Sequence, residues 1–405
     1  MNSLLQALQK INWDFSDYNS SKYPLDINSI PWYPATFIPP IPKFLISLLS
    51  KPGDIILDPF GGKGTVAVET IKLGRFPIYN DLNPFAFEIM QAIISVIKQR
   101  LQNSIFFNES SLFETHMVDS KTNKQIIHEL GINEDVFKWY EETTLNELLS
   151  IINFMYNKRT ESEDAFLIRK LAVSSILKSA SSQPGHFTYI TDNCKPTTLV
   201  YKDVKNLYIN RINQIIDATD DLINQYKLTN MNEDLNVIID QTLIYNGNAK
   251  KMDWIKDNCV NLVITSPPYL CAQDYIKTMR LTNLFFPIID FEKKPKDEIG
   301  PRCKRSGKSK NVVEQFYSDM NIVFSEIERV LTIGGYFCLI IGQGKNKITA
   351  LYDTINDLHQ DIIKKYSFTM IYQGERKISN RVIQVGGVDK ETIFIFQKKK
   401  RGKEK

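Results

Sequence analysis

DIILDPFGGKGT, residues 54–65, decides how the chain folds. Ile55, Ile56 and Leu57 form a short apolar run of the kind found in strands buried on both faces. The run breaks into Asp58, Pro59, Phe60 and then glycines at 61, 62 and 64, which permit a tight turn and close approach of a ligand to the main chain. Thr65 follows, and the segment from Gly64 to Leu73 reads as a helix whose first N–H groups favour a polar or anionic ligand. A second strand, FPIYND, ends at Asp81, and FAFEIMQAIISVIKQRL reads as a second helix. Strand, helix, strand, helix in this order implies a parallel α/β sheet.

The charges at these two strand ends select a ligand. Asp81 stands twenty residues beyond Gly61, where an acid is suited to accept hydrogen bonds from ribose hydroxyls. The turn lacks the G-x-G-x-x-G spacing that seats a pyrophosphate, and Asp58 beside it would repel a diphosphate. The same carboxylate suits an ammonium group. S-adenosylmethionine carries a ribose and an ammonium and no phosphate, so the charges favour it over a nicotinamide dinucleotide.

Further out, the texture changes. From about residue 101 to 240 helical periodicity dominates, interrupted by the irregular SSQPGHFTYITDNCKPTT. Strands return from 241 onward as TLIYNG, NLVITS, YFCLIIG, FTMIYQ and ETIFIFQ. The chain therefore divides into a cofactor-binding part (1–100), a helical insertion (101–240), a second part of the sheet (241–397) and a short basic tail (398–405).

At 405 residues, 43% hydrophobic and 24% charged, the composition is that of a soluble globular protein. No apolar run reaches the length of a membrane span, and the N-terminus is too interrupted for a signal peptide, so a cytoplasmic location is the default expectation. Five scattered cysteines without a CxxC pair and four dispersed histidines argue against a metal site and against a disulfide framework. The net charge is only +4, but residues 293–310 hold eight Lys/Arg against two acids.

VNLVITSPPY, residues 260–269, poses the chemical question, because an apolar strand runs straight into two prolines and a tyrosine. Two prolines remove two donors and fix two φ angles, more than is needed to stop a strand. The pairing of DPFGGKGT with TSPPY resembles the S-adenosylmethionine-dependent amino-methyltransferases of DNA, over roughly 30–100 and 243–397. The resemblance implies a Rossmann-like seven-stranded sheet, mostly parallel with an antiparallel last strand. It implies that Ser266 and the carbonyl of Pro267 accept hydrogen bonds from an exocyclic amine, that Pro268 helps to fix that carbonyl, and that Tyr269 stacks on a base flipped out of duplex DNA. Such an amine is a poor nucleophile because its lone pair is delocalised. Two acceptors gripping its N–H bonds pull it toward tetrahedral geometry, which makes catalysis a matter of positioning and electrostatics.

The same resemblance marks Phe37 as a contact of a cofactor-closing segment. It extends the cofactor site over Asp58, Pro59, Phe60, Gly61, Gly62, Gly64, Thr65, Asp81 and Asn83. Asn248, followed by Ala249, sits where many members carry an acid facing the adenine amine, and its amide oxygen could still accept. Arg280 has the alternative of a phosphate or solvent. Arg302, Lys304 and Arg305 of the basic loop 293–312 are the better placed candidates for phosphate contacts. The insertion does not lie where the family usually places target recognition; recognition, a lid and a dimer surface all remain open for it.

Serine as the first of the four residues favours the 4-amino group of cytosine over the 6-amino group of adenine. Methylation at ring carbon 5 needs a nucleophilic cysteine, usually after a proline, and no Pro-Cys occurs. A family member of this size most often serves a restriction-modification system, with a separately encoded cognate endonuclease as partner and no metal. An RNA or protein methyltransferase of the same fold, or a binding protein without turnover, are the alternatives.

Overall fold

The computed structural model describes residues 2–18, 26–30, 33, 37–104, 120–183, 195–229, 234–271, 279–287, 298–300, 309–343, 351–378 and 388–400. Its centre is one sheet of seven strands: β1 (Ile55–Asp58), β2 (Phe76–Asp81), β3 (Leu243–Asn246), β4 (Val260–Thr265), β5 (Leu331–Gly342), β6 (Phe368–Lys377) and β7 (Lys390–Lys398). The order across the sheet is β3-β2-β1-β4-β5-β7-β6. The first five are parallel, and β7 runs antiparallel to both β5 and β6. Leu57 lies opposite Val263, and Asp58 opposite Tyr79, so the C-terminal ends of β1, β2 and β4 emerge side by side. The strand order reverses between β1 and β4. Connections leaving those two ends diverge, and the crevice between them is where open α/β sheets bind ligands.

Side chains alternate along the central strands, so each face has its own core. Ile56, Leu262, Ile264, Cys338 and Ile340 pack against α1 (Asn2–Lys10) and α2 (Pro40–Leu49). On the other face Leu57, Val263, Phe337, Leu339 and Ile341 form a second core. It is completed by the apolar sides of α11 (Ser309–Val330) and α12 (Thr354–Lys365). Sandwiched this way, the central strands must be apolar throughout, which is why they read as uninterrupted runs.

A third core joins α3 (Thr65–Lys72) and α4 (Pro84–Leu101) to the helices that follow. These are α5 (Ser120–Glu129), a 3-10 turn at Glu134–Lys138, α6 (Glu142–Asn157), α7 (Glu163–Ala180), α8 (Val204–Leu228) and α9 (Leu235–Asp240). The 3-10 turn and α6 are separate elements, because Glu141 caps α6 by accepting from Thr144 N. Polar ties run along α4. Lys170 meets Glu88 at 2.8 Å, Asp164 accepts from Ser95 and Gln99, and Arg100 grips Asp220 with two bonds of 2.7 and 2.6 Å.

Two strands run longer than their sequence suggests. β5 starts at Leu331, its irregular opening accommodated by Gly334 at φ 84° and a register shift against β4. β6 continues past Gln373 to Lys377 by pairing with β7 to the end of that strand. Cys271 is disulfide-bonded, and Cys259 and Cys338 are free. No described helix is long and apolar enough to cross a membrane.

Candidate active site

The turn after β1 is shaped by contacts that exclude any side chain. A Cβ on Gly61 would lie 2.2 Å from the ring of Tyr79, which is fully buried. Gly64 adopts φ 89°, with Met90 Sδ 2.4 Å from where its Cβ would be. Gly61 N donates to Asn80 O at 2.9 Å, Gly64 N to Gly61 O at 2.8 Å, and Tyr79 OH to Gly62 O at 2.6 Å. Asn80, buried on β2, also ties two loops together by donating to Pro59 O and Gly247 O. Helix α3 starts at Thr65, whose Oγ1 is buried and has no partner among the described residues.

Two carboxylates stand over this turn. Asp58 is 2% exposed and accepts from Phe60 N at 3.0 Å. Burial, with a smaller push from Asp81, raises its pKa from 3.8 to about 7. Asp81 accepts from Gly62 N and Asn83 N, both at 2.8 Å, so it holds the turn and the start of α4 in one grip. Burial raises its pKa to about 6. Among the described residues no lysine or arginine lowers the pKa of either carboxylate. Two buried acids whose pKa is lowered by no cation among the described residues form a site that suits a cationic ligand.

The second strand end meets the first through one hydroxyl. Thr265, 1% exposed at the end of β4, donates from Oγ1 to Asp58 Oδ1 at 2.8 Å. Ser266 follows, part-exposed, then buried Pro267 and part-exposed Pro268. Ser266 Oγ lies 3.0 Å from Tyr269 OH, and Tyr269 OH donates to Glu391 Oε1 at 2.8 Å. Thr265 and Glu391 carried no role in the sequence reading. The available signal for Thr265 was a hydroxyl on a strand that is otherwise apolar at its buried positions; for Glu391 there was none.

The other candidates fall into three groups. Pro59 and Phe60 lie in the turn itself, and Asn83 caps α4 through Phe85 N while its amide donates to Tyr33 OH at 3.1 Å. Tyr33 packs over Gly62, its ring 3.4 Å from where a Cβ would be. Phe37, by contrast, is half-buried against the core of α1 and α2. Asn248 accepts from Lys250 N at 2.9 Å, which turns its amide oxygen to the local backbone, and Ala249 is buried in the core with α11. Arg280 opens α10 (Arg280–Phe285) and pairs with Asp135 of the insertion at 3.0 Å, which makes it a tie between two parts of the chain. Arg302, Lys304 and Arg305 lie outside the described residues, as does most of the loop 181–198.

The family model of the N6/N4 DNA methylases matches residues 5–93 and 260–404, both strand ends included. The chain belongs to this family of S-adenosylmethionine-dependent DNA amino-methyltransferases. The match omits 94–259, which holds the insertion and β3. Among curated relatives, the methylase is similar to the type II methyltransferase M.MjaII of Methanocaldococcus jannaschii, with 20% identity across 95% of this chain and 83% of that protein. It is also similar to the type II methyltransferase M.BsoBI of Geobacillus stearothermophilus, with 25% identity across 70% of this chain and 57% of that protein. A solved putative DNA modification methylase from Thermus thermophilus, complexed with S-adenosyl-L-methionine, is 16% identical over 39% of this chain and 56% of that one, at a TM-score of 0.24.

The residues present fit that cofactor. Asp58 and Asp81 offer acceptors to an ammonium and a ribose, the glycines leave a cradle that a Cβ would fill, and the orphaned Thr65 hydroxyl has no partner among the described residues. Among the described residues no group of acids, histidines and cysteines could hold a metal ion.

Proposed function

We propose that the methylase transfers a methyl group to the 4-amino group of a cytosine flipped out of double-stranded DNA, at a specific site. We further propose that it acts as the protecting partner of a separately encoded restriction endonuclease. The observation that carries the reading is the 2.8 Å bond from Thr265 to Asp58, which brings the acceptor loop Ser266–Tyr269 against the carboxylate of the cofactor turn. When bound, the cofactor supplies an electrophilic sulfonium methyl. The chain's part is to orient the nucleophile. Ser266 Oγ and the carbonyl of Pro267 accept from the amine, Pro268 holds that carbonyl in place, and Tyr269 serves as the platform for the base. Asp58 holds the ammonium and Asp81 the ribose. The names of the type II relatives support the restriction-modification context, and the serine supports cytosine.

Mass spectrometry of nucleosides from DNA methylated by the purified protein tests this. A 4-methylaminocytosine peak, absent with Ser266→Ala, is the expected result. A 6-methyladenine peak would move the activity to adenine, and no modified base in DNA would contradict the proposal.

A further inference from the structure

The hydrogen bond between Ser266 Oγ and Tyr269 OH has two possible directions, and only one makes Ser266 useful to an amine. Tyr269 has a single hydroxyl proton. Its second partner, Glu391, is held in an ion pair by Arg376, whose Nη1 donates to Glu391 Oε2 at 2.7 Å. A carboxylate paired with a guanidinium accepts, so the Tyr269 proton is committed to Glu391. The tyrosine oxygen is then left as an acceptor toward Ser266, and Ser266 must donate its own proton there. Its lone pairs are freed for the N–H of the incoming base.

We infer that Glu391, fixed by Arg376, is a positioning residue that sets Ser266 as a hydrogen-bond acceptor by way of Tyr269. The inference rests on the amino-methyltransferase reading above. The pair is built for permanence: the side chains of Arg376 and Glu391 are 8% and 14% exposed, and the two residues face each other in the β6–β7 register. Glu391 also pairs with Gly342 of β5, and a Cβ on Gly342 would lie 2.8 Å from Tyr269 Cε2. The missing side chain gives the ring room at the end of the sheet, where its hydroxyl reaches both neighbours. The antiparallel hairpin thereby contributes to the reacting centre, although it lies beyond β5 from the acceptor loop.

Tyr269→Phe keeps the ring and the buried Arg376–Glu391 pair and removes only the relay. Glu391→Gln removes the charge, at the risk of loosening the hairpin. The experiment compares kcat, the DNA KM and cofactor binding for the wild type, both variants and the double variant. Each single change should lower kcat about tenfold with DNA KM and cofactor affinity within about twofold, and the double variant should be no slower than the slower single. A Tyr269→Phe enzyme with undiminished kcat, or losses that multiply in the double variant, overturns the inference alone. A wild-type protein that methylates no amine overturns the reading beneath it as well.

Discussion

The two strand ends that meet in the crevice are rigid for opposite reasons. After β1 rigidity comes from missing side chains: glycines at 61, 62 and 64 let the backbone fold against Tyr79, Tyr33 and Met90, and the Asp81 carboxylate clamps the turn by accepting from Gly62 N. After β4 it comes from side chains that restrict the backbone, two prolines in succession, and from a polar chain running through Ser266, Tyr269, Glu391 and Arg376. A cradle must leave room for a ligand, whereas an acceptor must be aimed. The first end is therefore most sensitive to an added atom, and the second to the loss of the hydrogen bonds around Ser266 and Tyr269.

That contrast can be broken experimentally. The largest effect should come from Gly61→Ala, because the new methyl enters the ring of a fully buried tyrosine 2.2 Å away. Overpacking of this kind costs about 1–3 kcal/mol or more. Thermal unfolding should show the loss, and a wild-type melting temperature would refute the fit described for the turn. Next comes Asp81→Ala, expected to weaken cofactor binding about tenfold to a hundredfold, the range for hydrogen bonds to a charged group. Calorimetry would read it, with kcat at saturating cofactor as the contrasting quantity that should change less.

A smaller effect follows from pH. Burial raises Asp58 from 3.8 to about 7, so in that window the folded chain binds more protons than the unfolded chain. Stability without cofactor should therefore fall as pH rises through this window. A bound ammonium favours the ionised carboxylate, so cofactor affinity should move the other way and be about tenfold weaker at pH 6 than at pH 8. An affinity independent of pH across this range would remove Asp58 from the site. The smallest effect is expected from Thr265→Val, which keeps the shape but cuts the link between the two ends. Without that hydrogen bond the pKa of Asp58 rises further, and the pH dependence of cofactor affinity should shift to higher pH with only a several-fold loss in kcat.

Much of the cofactor end was legible because its determinants are local in sequence. A strand, a glycine turn and a helix start lie within residues 54–65, and the acid on the neighbouring strand falls at a characteristic spacing. The turn Ser266–Tyr269 at the end of β4 was legible for the same reason. What escaped was whatever depends on residues far apart in the chain. Thr265 meets Asp58, and Tyr269 meets Glu391, through pairings of strands that no local pattern reveals. Arg376 lay beyond the point where β6 appeared to end, since the polar stretch GERK carries no strand signal and is held extended by β7. Arg280 and Asn248 looked available because an isolated polar residue always does, and both have protein partners.

The most direct test of the division between the two ends is to measure cofactor affinity and turnover together in Ser266→Ala. If the β4 end only aims the amine, kcat should fall at least about a hundredfold, as when an oxyanion donor is lost, while the dissociation constant of S-adenosylmethionine stays within about twofold. Undiminished turnover, or an affinity that falls in parallel with kcat, would contradict the account.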